Sequence, residues 1–389
     1  MDFMTEMEKL IPASPEIELN WEEIAASFLG IFFSEMKNTE QNPKFHGEGN
    51  VYIHTQMVCA EVAKLQEFCR LDKSQRIGLF TAALLHDVGK IKTTRFEDDQ
   101  WISPHHSATG SMIARQFLWQ TCGLCGSKEK QQLRELICTL IRYHMLPVHL
   151  LDQDNPERKV REIAAAGELI PDFTWKLLCM LAEADMKGRI AADIVEQLEK
   201  IELCRVLAEE AECYVGPYRF RDAYTKHAYL SGRNISPDQS LYNDTWGEVI
   251  LMSGLPGTGK DTWIKENIPE YPMISLDEIR KETNIKPTDN QSAVIQEAQN
   301  RAKVYLRKHQ QFVWNATNIT KDIRQKQINL FERYGAGVRI VYLETAWDIL
   351  LNRNSNRQSE VPAAAIEKML GKTVPPMSEE AMKVEWRIV

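Results

Sequence analysis

Apolar positions recur along the chain at two different periods, and the change of period divides it. Trp21, Ile24, Ala25, Phe28, Ile31 and Phe32 fall at helical spacing and predict a leading helix within residues 1 to about 45. Helix then follows helix to about residue 213, with no convincing strand alternation. Val51, Val58, Val62 and Leu65 stripe one helix, and Leu133, Leu136, Leu140 and Ile141 another. Trp175, Leu178, Leu181 and Ala182 mark a third. Beyond about residue 246 short apolar runs alternate with amphipathic stretches. Val249–Met252, Tyr271–Ser275, Phe312–Asn315 and Val338–Leu343 read as strands. Helices are predicted from Leu276, over about Ser292 to Lys308, around Arg324, and around Arg353 with Arg357; the tail reads as a helix and a proline-bounded segment.

This pattern predicts two domains. The first is an all-α bundle over residues 1–213, with its core at about 45–213. The second is an α/β domain over 247–389, with a parallel sheet and a helical lid. A connector, 214–246, interleaves Tyr214, Tyr218, Phe220, Tyr224 and Tyr229 with Arg219, Arg221 and Arg233. Such interleaving suits base stacking and suits domain packing better.

Composition narrows the class. With 43% apolar and 26% charged residues in a 389-residue chain, each half has material for a core and a soluble surface. The opening MDFMTEMEKLIP is acidic and has no long apolar run, so a signal peptide or membrane span is not expected, and a cytoplasmic location is. All eight cysteines precede residue 214; Cys122 and Cys125 form a lone CxxC, and reduced structural thiols are expected. A net charge of −8 argues against non-specific coating of nucleic acid, but leaves room for a local basic cleft that holds one strand end.

The chemistry concentrates in two places. After the Val249–Met252 strand comes Gly254-Leu-Pro-Gly257-Thr258-Gly259-Lys260, the glycine-rich turn of a phosphate-binding loop. Its glycines let successive amides converge on an anion, and the helix that follows adds its unpaired N–H groups. Lys260 supplies a cation for the outer phosphates of ATP or another nucleoside triphosphate bound with Mg2+. Asp261 stands where Ser or Thr is usual, with Thr262 next, which leaves open whether Asp261 ligates the Mg2+. Asp277 and Arg280 lie one turn apart after the second strand, where a carboxylate can take a proton from an attacking hydroxyl while the arginine fixes the acceptor. Arg353 and Arg357, four apart, are placed to close over a triphosphate.

In the helical half, His54, His86, Asp87, His106, His144 and Asp185 each stand on the apolar side of a helix. Burying unpaired carboxylates is costly, and a shared metal centre satisfies all six at once. Lys90 and Arg189 are candidates for a substrate phosphate, whereas His46 and His149 are assigned no role. Glu97-Asp98-Asp99 reads as a solvated turn.

The order His, His-Asp, His, His, Asp resembles the HD superfamily of metal-dependent phosphohydrolases over about residues 45–215. The resemblance implies that His54, His86, Asp87 and Asp185 hold one metal and that His106 and His144 complete a second, with Asp87 bridging. His106 is preferred to His105 because its spacing to Gly110 matches the family motif. Imidazole ligands favour Mn, Ni, Co, Zn or Fe over Mg. The phosphate loop, D-x-x-R, Asn315-Ala-Thr-Asn318 and the arginine pair resemble the 5′-OH polynucleotide kinase branch of phosphate-loop kinases over about 246–389. There Asp277 would be the general base, and Arg280, Asn318 and Arg324 would contact the acceptor.

The pairing of halves is similar to the HD-Pnk family of bacterial end-healing enzymes. It implies removal of 2′,3′-cyclic phosphate and of 2′- or 3′-phosphate by one half and phosphorylation of 5′-OH ends by the other. The partners implied are RNA or DNA strand ends and a ligase acting afterwards. Two other readings stay open: a small-nucleotide kinase fused to a nucleotide phosphohydrolase, and an ATP-binding regulator with an HD sensor.

Overall fold

The computed structural model describes residues 2–14, 18–357 and 360–389. The chain forms two compact units: residues 1–125 with 129–218, and residues 126–128 with 219–389.

The first unit is helical. Its centre is the helix Lys73–Leu85, started by Asp72, whose side chain accepts from Gln75 N, and buried at every position from Ile77 to Leu85. Around it lie Val51–Lys64, His106–Gln120, Lys128–Tyr143 and Trp175–Lys187. Close approach is built in at Gly78, where a Cβ would meet Leu136 Cδ2 at 2.5 Å. Arg115, Arg134 and Glu135, all buried, tie Lys128–Tyr143 to His106–Gln120: Glu135 accepts from Arg115 Nε at 3.0 Å and from Arg134 Nε at 2.9 Å. Arg134 also lies 4.0 Å from the centre of the Trp119 ring.

Two expectations for this half are corrected. The leading helix is broken into Trp21–Ala26, a 3-10 turn Phe28–Phe32 and Phe33–Lys37. Ser27 takes extended geometry, donates to Ile24 O and accepts from Leu29 N, ending one segment and capping the next. Strands, which were not expected in this half, flank the expected turn at Glu97-Asp98-Asp99: β1 (Arg95–Glu97) pairs antiparallel with β2 (Gln100–Ile102). Asp98 and Asp99 make the two-residue turn at φ 50° and 57°, the left-handed pair such a turn requires. All eight cysteines are free thiols.

The second unit is a five-stranded parallel sheet with helices on both faces. Its strands are β3 (Glu248–Ser253), β4 (Met273–Ser275), β5 (Phe312–Asn315), β6 (Gly337–Glu344) and β7 (Lys383–Ile388), in the order β4-β5-β3-β6-β7. Alternation along β3 sends Val249 and Leu251 to one core, with Phe312, Trp314 and Phe331, and Ile250 and Met252 to the other, with Ile264, Val313 and Val341. A strand buried on both faces reads as an unbroken apolar run, which is why β3 was visible in the sequence. The chain leaves β3 towards β4 and β5, then crosses to the other side for β6 and β7. That switch opens a ligand crevice at the strands' carboxyl ends.

Here too the sequence expectation needs correction. The tail contributes a strand, β7, beside β6. The helix Trp347–Ser355 ends before Arg357, so Arg353 and Arg357 do not share a helix face. From Arg219 onward the expected connector belongs to this unit. Its helix Ala223–Leu230 places His227 Nε2 2.5 Å from Glu332, and Trp246 stacks on His309 with ring centres 5.2 Å apart.

Candidate functional site: a metal centre and a phosphate loop

Five helical segments deliver the six predicted ligands of the first unit to one place. His54 is in the second turn of Val51–Lys64, His86 caps Lys73–Leu85, and Asp87 follows it. His106 opens its helix, His144 directly follows Lys128–Tyr143, and Asp185 is in the last turn of Trp175–Lys187. His54, His86, Asp87, His144 and Asp185 are buried.

Three of the rings are oriented in the same way. Nδ1 of His86, His106 and His144 lies 2.8, 2.9 and 2.8 Å from the backbone oxygens of Ala83, Ser103 and Ile141. A carbonyl only accepts, so Nδ1 carries the proton and Nε2 is left as a donor for a cation. His54 Nδ1 likewise faces Gly188 O at 3.0 Å. The Nε2 atoms then meet in pairs, His54 with His86 at 3.2 Å and His106 with His144 at 3.4 Å. Asp185 Oδ1 lies 3.0 Å from His54 Nε2 and 3.9 Å from His86 Nε2.

Asp87 stands between the pairs. Its Oδ2 is 3.4 Å from His86 Nε2 and 3.7 Å from His54 Nε2, and its Oδ1 is 3.5 Å from His106 Nε2. Neither oxygen receives a hydrogen bond, although both are buried; Oδ2 has an ion pair with Lys90 at 2.7 Å. A buried carboxylate in that state is costly unless cations complete it. The donor set fits two divalent ions sharing Asp87, with His54, His86 and Asp185 on one side and His106 and His144 on the other. His54, His86 and Asp87 form one potential ligand group, and Asp87, His106 and His144 a second.

The protonation pattern agrees. Burial holds the His144 imidazole down at about 3 and also lowers His106, so both are neutral ligands at physiological pH. At His54 burial opposes charge, but Asp185 and Glu48 outweigh it and raise the ring to about 9 when no metal is present. Burial works against ionisation of Asp87, yet Lys90 and His86 hold its carboxyl well below the usual range.

Two residues that sequence reasoning left out belong to this centre. His46 Nδ1 and His54 Nδ1 approach one oxygen of buried Glu48, at 2.9 and 3.0 Å. His46 Nε2 is 3.4 Å from Lys90 Nζ, which also donates to Gln41 Oε1 at 2.7 Å. Burial pushes the His46 ring down to about 4, so it serves as a neutral link between Glu48 and Lys90. Lys90 is buried against Asp87 and is not held out towards solvent. Arg189 is also buried, with Nη2 3.5 Å from Asp193. His105 is exposed at φ 55°, and His149 pairs with Asp152 at the surface.

In the second unit the turn after β3 has the geometry that its glycines predict. Gly254, Gly257 and Gly259 have φ 140°, 85° and 81°. A Cβ on Gly254 would lie 2.5 Å from Leu343 O, and one on Gly257 2.9 Å from Leu350 O in the helix Trp347–Ser355. Thr258 Oγ1 donates to Leu255 O at 2.9 Å and closes the turn. The helix Lys260–Asn267 begins at Gly259, so the amides of Lys260, Asp261 and Thr262 have no intrahelical acceptor and are available to an anion.

Lys260 Nζ is folded back on the loop, donating to Gly254 O at 2.9 Å and Leu255 O at 2.8 Å. Burial lowers its pKa to about 8; Asp261 and Asp277 raise it and Arg357 lowers it. Asn315, at the end of β5, donates to Asp261 Oδ1 at 2.6 Å. Asp277 Oδ1 pairs with Arg280 Nη1 at 2.5 Å and its Oδ2 with Arg357 Nη2 at 3.9 Å. Gln291 Oε1 fixes Arg280 Nε at 2.7 Å. With its side chain 68% exposed, Asp277 remains open to an incoming group. Arg353 Nη1 lies 3.7 Å from where a Cβ on Gly259 would stand.

The expected acceptor contacts at Arg324 and Asn318 are not what the structure provides. Arg324 is fully buried, with Nε and Nη2 each 2.7 Å from Glu380 and Nη1 on Asn318 O and Val374 O. Asn318, at φ 43°, donates to Met252 O at 2.7 Å, and its own carbonyl accepts from Ser253 Oγ. Both side chains brace the loops after β3 and β5 from within.

Two stretches match known domain families: residues 51–168 match the HD domain, and residues 249–376 match the AAA domain. The chain therefore joins an HD phosphohydrolase domain to a P-loop, kinase-like domain. The HD match spans His54, His86, Asp87, Lys90, His106 and His144. Asp185 lies beyond its end, and His46 and Glu48 lie before its start; the fold brings all three to the same centre. Among the described residues no helix is long and apolar enough to cross a membrane.

Proposed function

We propose that the protein heals broken nucleic-acid ends, its HD domain clearing a 2′,3′-cyclic phosphate or a 2′- or 3′-phosphate and its P-loop domain phosphorylating a 5′-OH. The observation that carries this reading is the presence, in one chain, of two phosphate-directed sites with opposite tasks. One is the buried Asp87, paired with Lys90 and set amid convergent imidazoles. The other is the exposed Asp277, flanked by Arg280 and Arg357, at the mouth of the phosphate loop.

His54, His86, Asp87 and Asp185 would hold one divalent cation and Asp87, His106 and His144 a second, and the pair would supply a nucleophilic water at neutral pH and offset phosphate charge. The chain's own work there is to fix Nε2 of each ring and to hold Asp87 between them through Lys90. At the kinase site Lys260 turns from its loop carbonyls to the outer phosphates of ATP. Asp277 accepts the proton of the 5′-OH as that oxygen bonds to the γ-phosphorus. The bond to the β–γ bridging oxygen breaks and ADP leaves. Arg280 positions the acceptor end, while Arg353 and Arg357 stabilise charge on the transferred group. A strand end so treated carries the 3′-OH and 5′-phosphate that a ligase needs.

The test uses an RNA with a 5′-OH and a 2′,3′-cyclic phosphate, incubated with ATP, Mg2+ and Mn2+. Lys260→Ala and Asp277→Ala are expected to lower 5′ labelling by about 10²–10⁴-fold while leaving cyclic-phosphate removal intact, and Asp87→Ala to do the reverse. Loss of both activities in any one folded variant would overturn the two-site assignment. Equal phosphorylation of a mononucleoside and an oligonucleotide would overturn the strand-end assignment.

A further inference from the structure

The four histidines of the metal centre are not held alike. His86, His106 and His144 each donate Nδ1–H to a neutral carbonyl three residues back, in the preceding helix for His86 and His144 and in the turn before the helix for His106. His54 has no such partner in its own helix. Its Nδ1 meets Gly188 O at 3.0 Å and, at the same distance, Oε1 of Glu48, which places a carboxylate behind this ligand ring.

Glu48 is itself tightly placed. Its side chain is 1% exposed. Oε2 accepts from Ile190 N at 2.8 Å, and Gly47 N donates to Ile190 O at 2.8 Å. Gly47 permits this approach, since a Cβ there would lie 3.0 Å from Ile190 O. The loop carrying Glu48 is thereby laced to the segment that directly follows Asp185. On its other side Glu48 accepts from His46, whose Nε2 faces Lys90, the partner of Asp87.

We propose that Glu48 is a positioning residue for the metal held by His54, His86, Asp87 and Asp185: its carboxylate stands behind His54 Nδ1 and fixes Nε2 towards the ion. The principle is general. A carboxylate behind a ligating histidine fixes the tautomer and raises ligand basicity, and its loss typically weakens metal affinity by about 10–100-fold. Glu48 stands behind a ligand of one ion and not of the other, so its loss bears on that ion alone. His46 serves as the link that keeps Glu48 and Lys90 in register. The inference rests on the metal reading of the site and does not depend on which phosphate ester is cleaved.

The test is titration of the metal-stripped full chain with Mn2+, free ion being counted by electron paramagnetic resonance. Wild type is compared with Glu48→Gln and Glu48→Ala. Glu48→Gln keeps an oxygen for the two imidazole N–H groups and removes the charge, while its NH2 takes the place of the oxygen that accepts from Ile190 N. It is expected to weaken the tighter Mn2+ site by about 10-fold or more, to leave the weaker site unchanged, and to keep the kinase activity of wild type. Glu48→Ala is expected to lose more. Two wild-type-like Mn2+ affinities in a folded Glu48→Gln would overturn the inference alone, as would equal weakening of both sites. A wild-type chain that binds no Mn2+ would overturn the metal reading beneath it.

Discussion

Lys260 shows how a residue's surroundings set up its task before any ligand arrives. Its ammonium satisfies two loop carbonyls, and burial has brought its pKa down to about 8. The unfolded chain holds that proton to about 10.4. Between these values the unfolded state binds more protons, so this group's contribution to folding stability increases as pH rises through the window. Nucleotide binding reverses the shift, because phosphate charge favours the ammonium. Binding of ATP at pH 8–9 should therefore take up a fraction of a proton. Calorimetry in two buffers of different ionisation enthalpy reads this directly, and the uptake should vanish in Lys260→Ala. The same scale explains what could be read in advance. Histidines and aspartates in apolar stripes stand out because their burial needs a reason, so the six residues that the fold brings together were legible. Glu48 and His46 sit in a polar loop where a carboxylate looks solvated, and only the fold brings them behind His54. Arg324 misled for the opposite reason: an arginine after N-A-T-N looks available, whereas Glu380, 56 residues away, holds it inside.

Among the elements, packing between two short turns decides the geometry of the second metal group. Gly89 N and Gly110 approach so closely that a Cβ on Gly89 would lie 2.0 Å from His106 O and 2.6 Å from Gly110 N. These are backbone atoms and cannot step aside as a side-chain tip can. Gly89→Ala should cost about 3 kcal/mol, the upper part of the range for overpacking, and should displace His106. Chemical denaturation measures the first effect and loss of the weaker Mn2+ site the second. Gly216→Ala, with nothing within 4 Å of its Cβ, is the matched control and should change stability by less than about 0.5 kcal/mol. Periodicity found the buried elements well because β3 and β5 are apolar on both faces. It missed β7, whose KVEWRI alternates charged and apolar side chains at a sheet edge, and β1–β2, which are too short to show a period. The arginine lid was misread as one helix face because nothing in the sequence marks the end at Ser355.

At the scale of the whole molecule, each site draws its residues from one unit. The metal centre's residues, from His46 to Ile190, all lie within the first unit, and the phosphate loop with Asp277, Arg280, Asn315, Arg353 and Arg357 lies within the second. Each unit has its own core, in the second unit two of them on either side of the sheet. Ligand binding stabilises the structure that holds it, by about 2.7 kcal/mol when ligand is at 100 times its dissociation constant. Hydrogen exchange on the intact chain should therefore show protection confined to residues 46–190 when Mn2+ is added to the metal-stripped protein. Protection should be confined to 249–357 when ATP and Mg2+ are added to protein whose metal centre is already filled. Asp87→Ala should abolish the first pattern and spare the second, and Lys260→Ala the converse. Mn2+-induced protection of the phosphate loop would mean instead that one site's ligand biases the other. By linkage the nucleotide would then change Mn2+ affinity by the same factor.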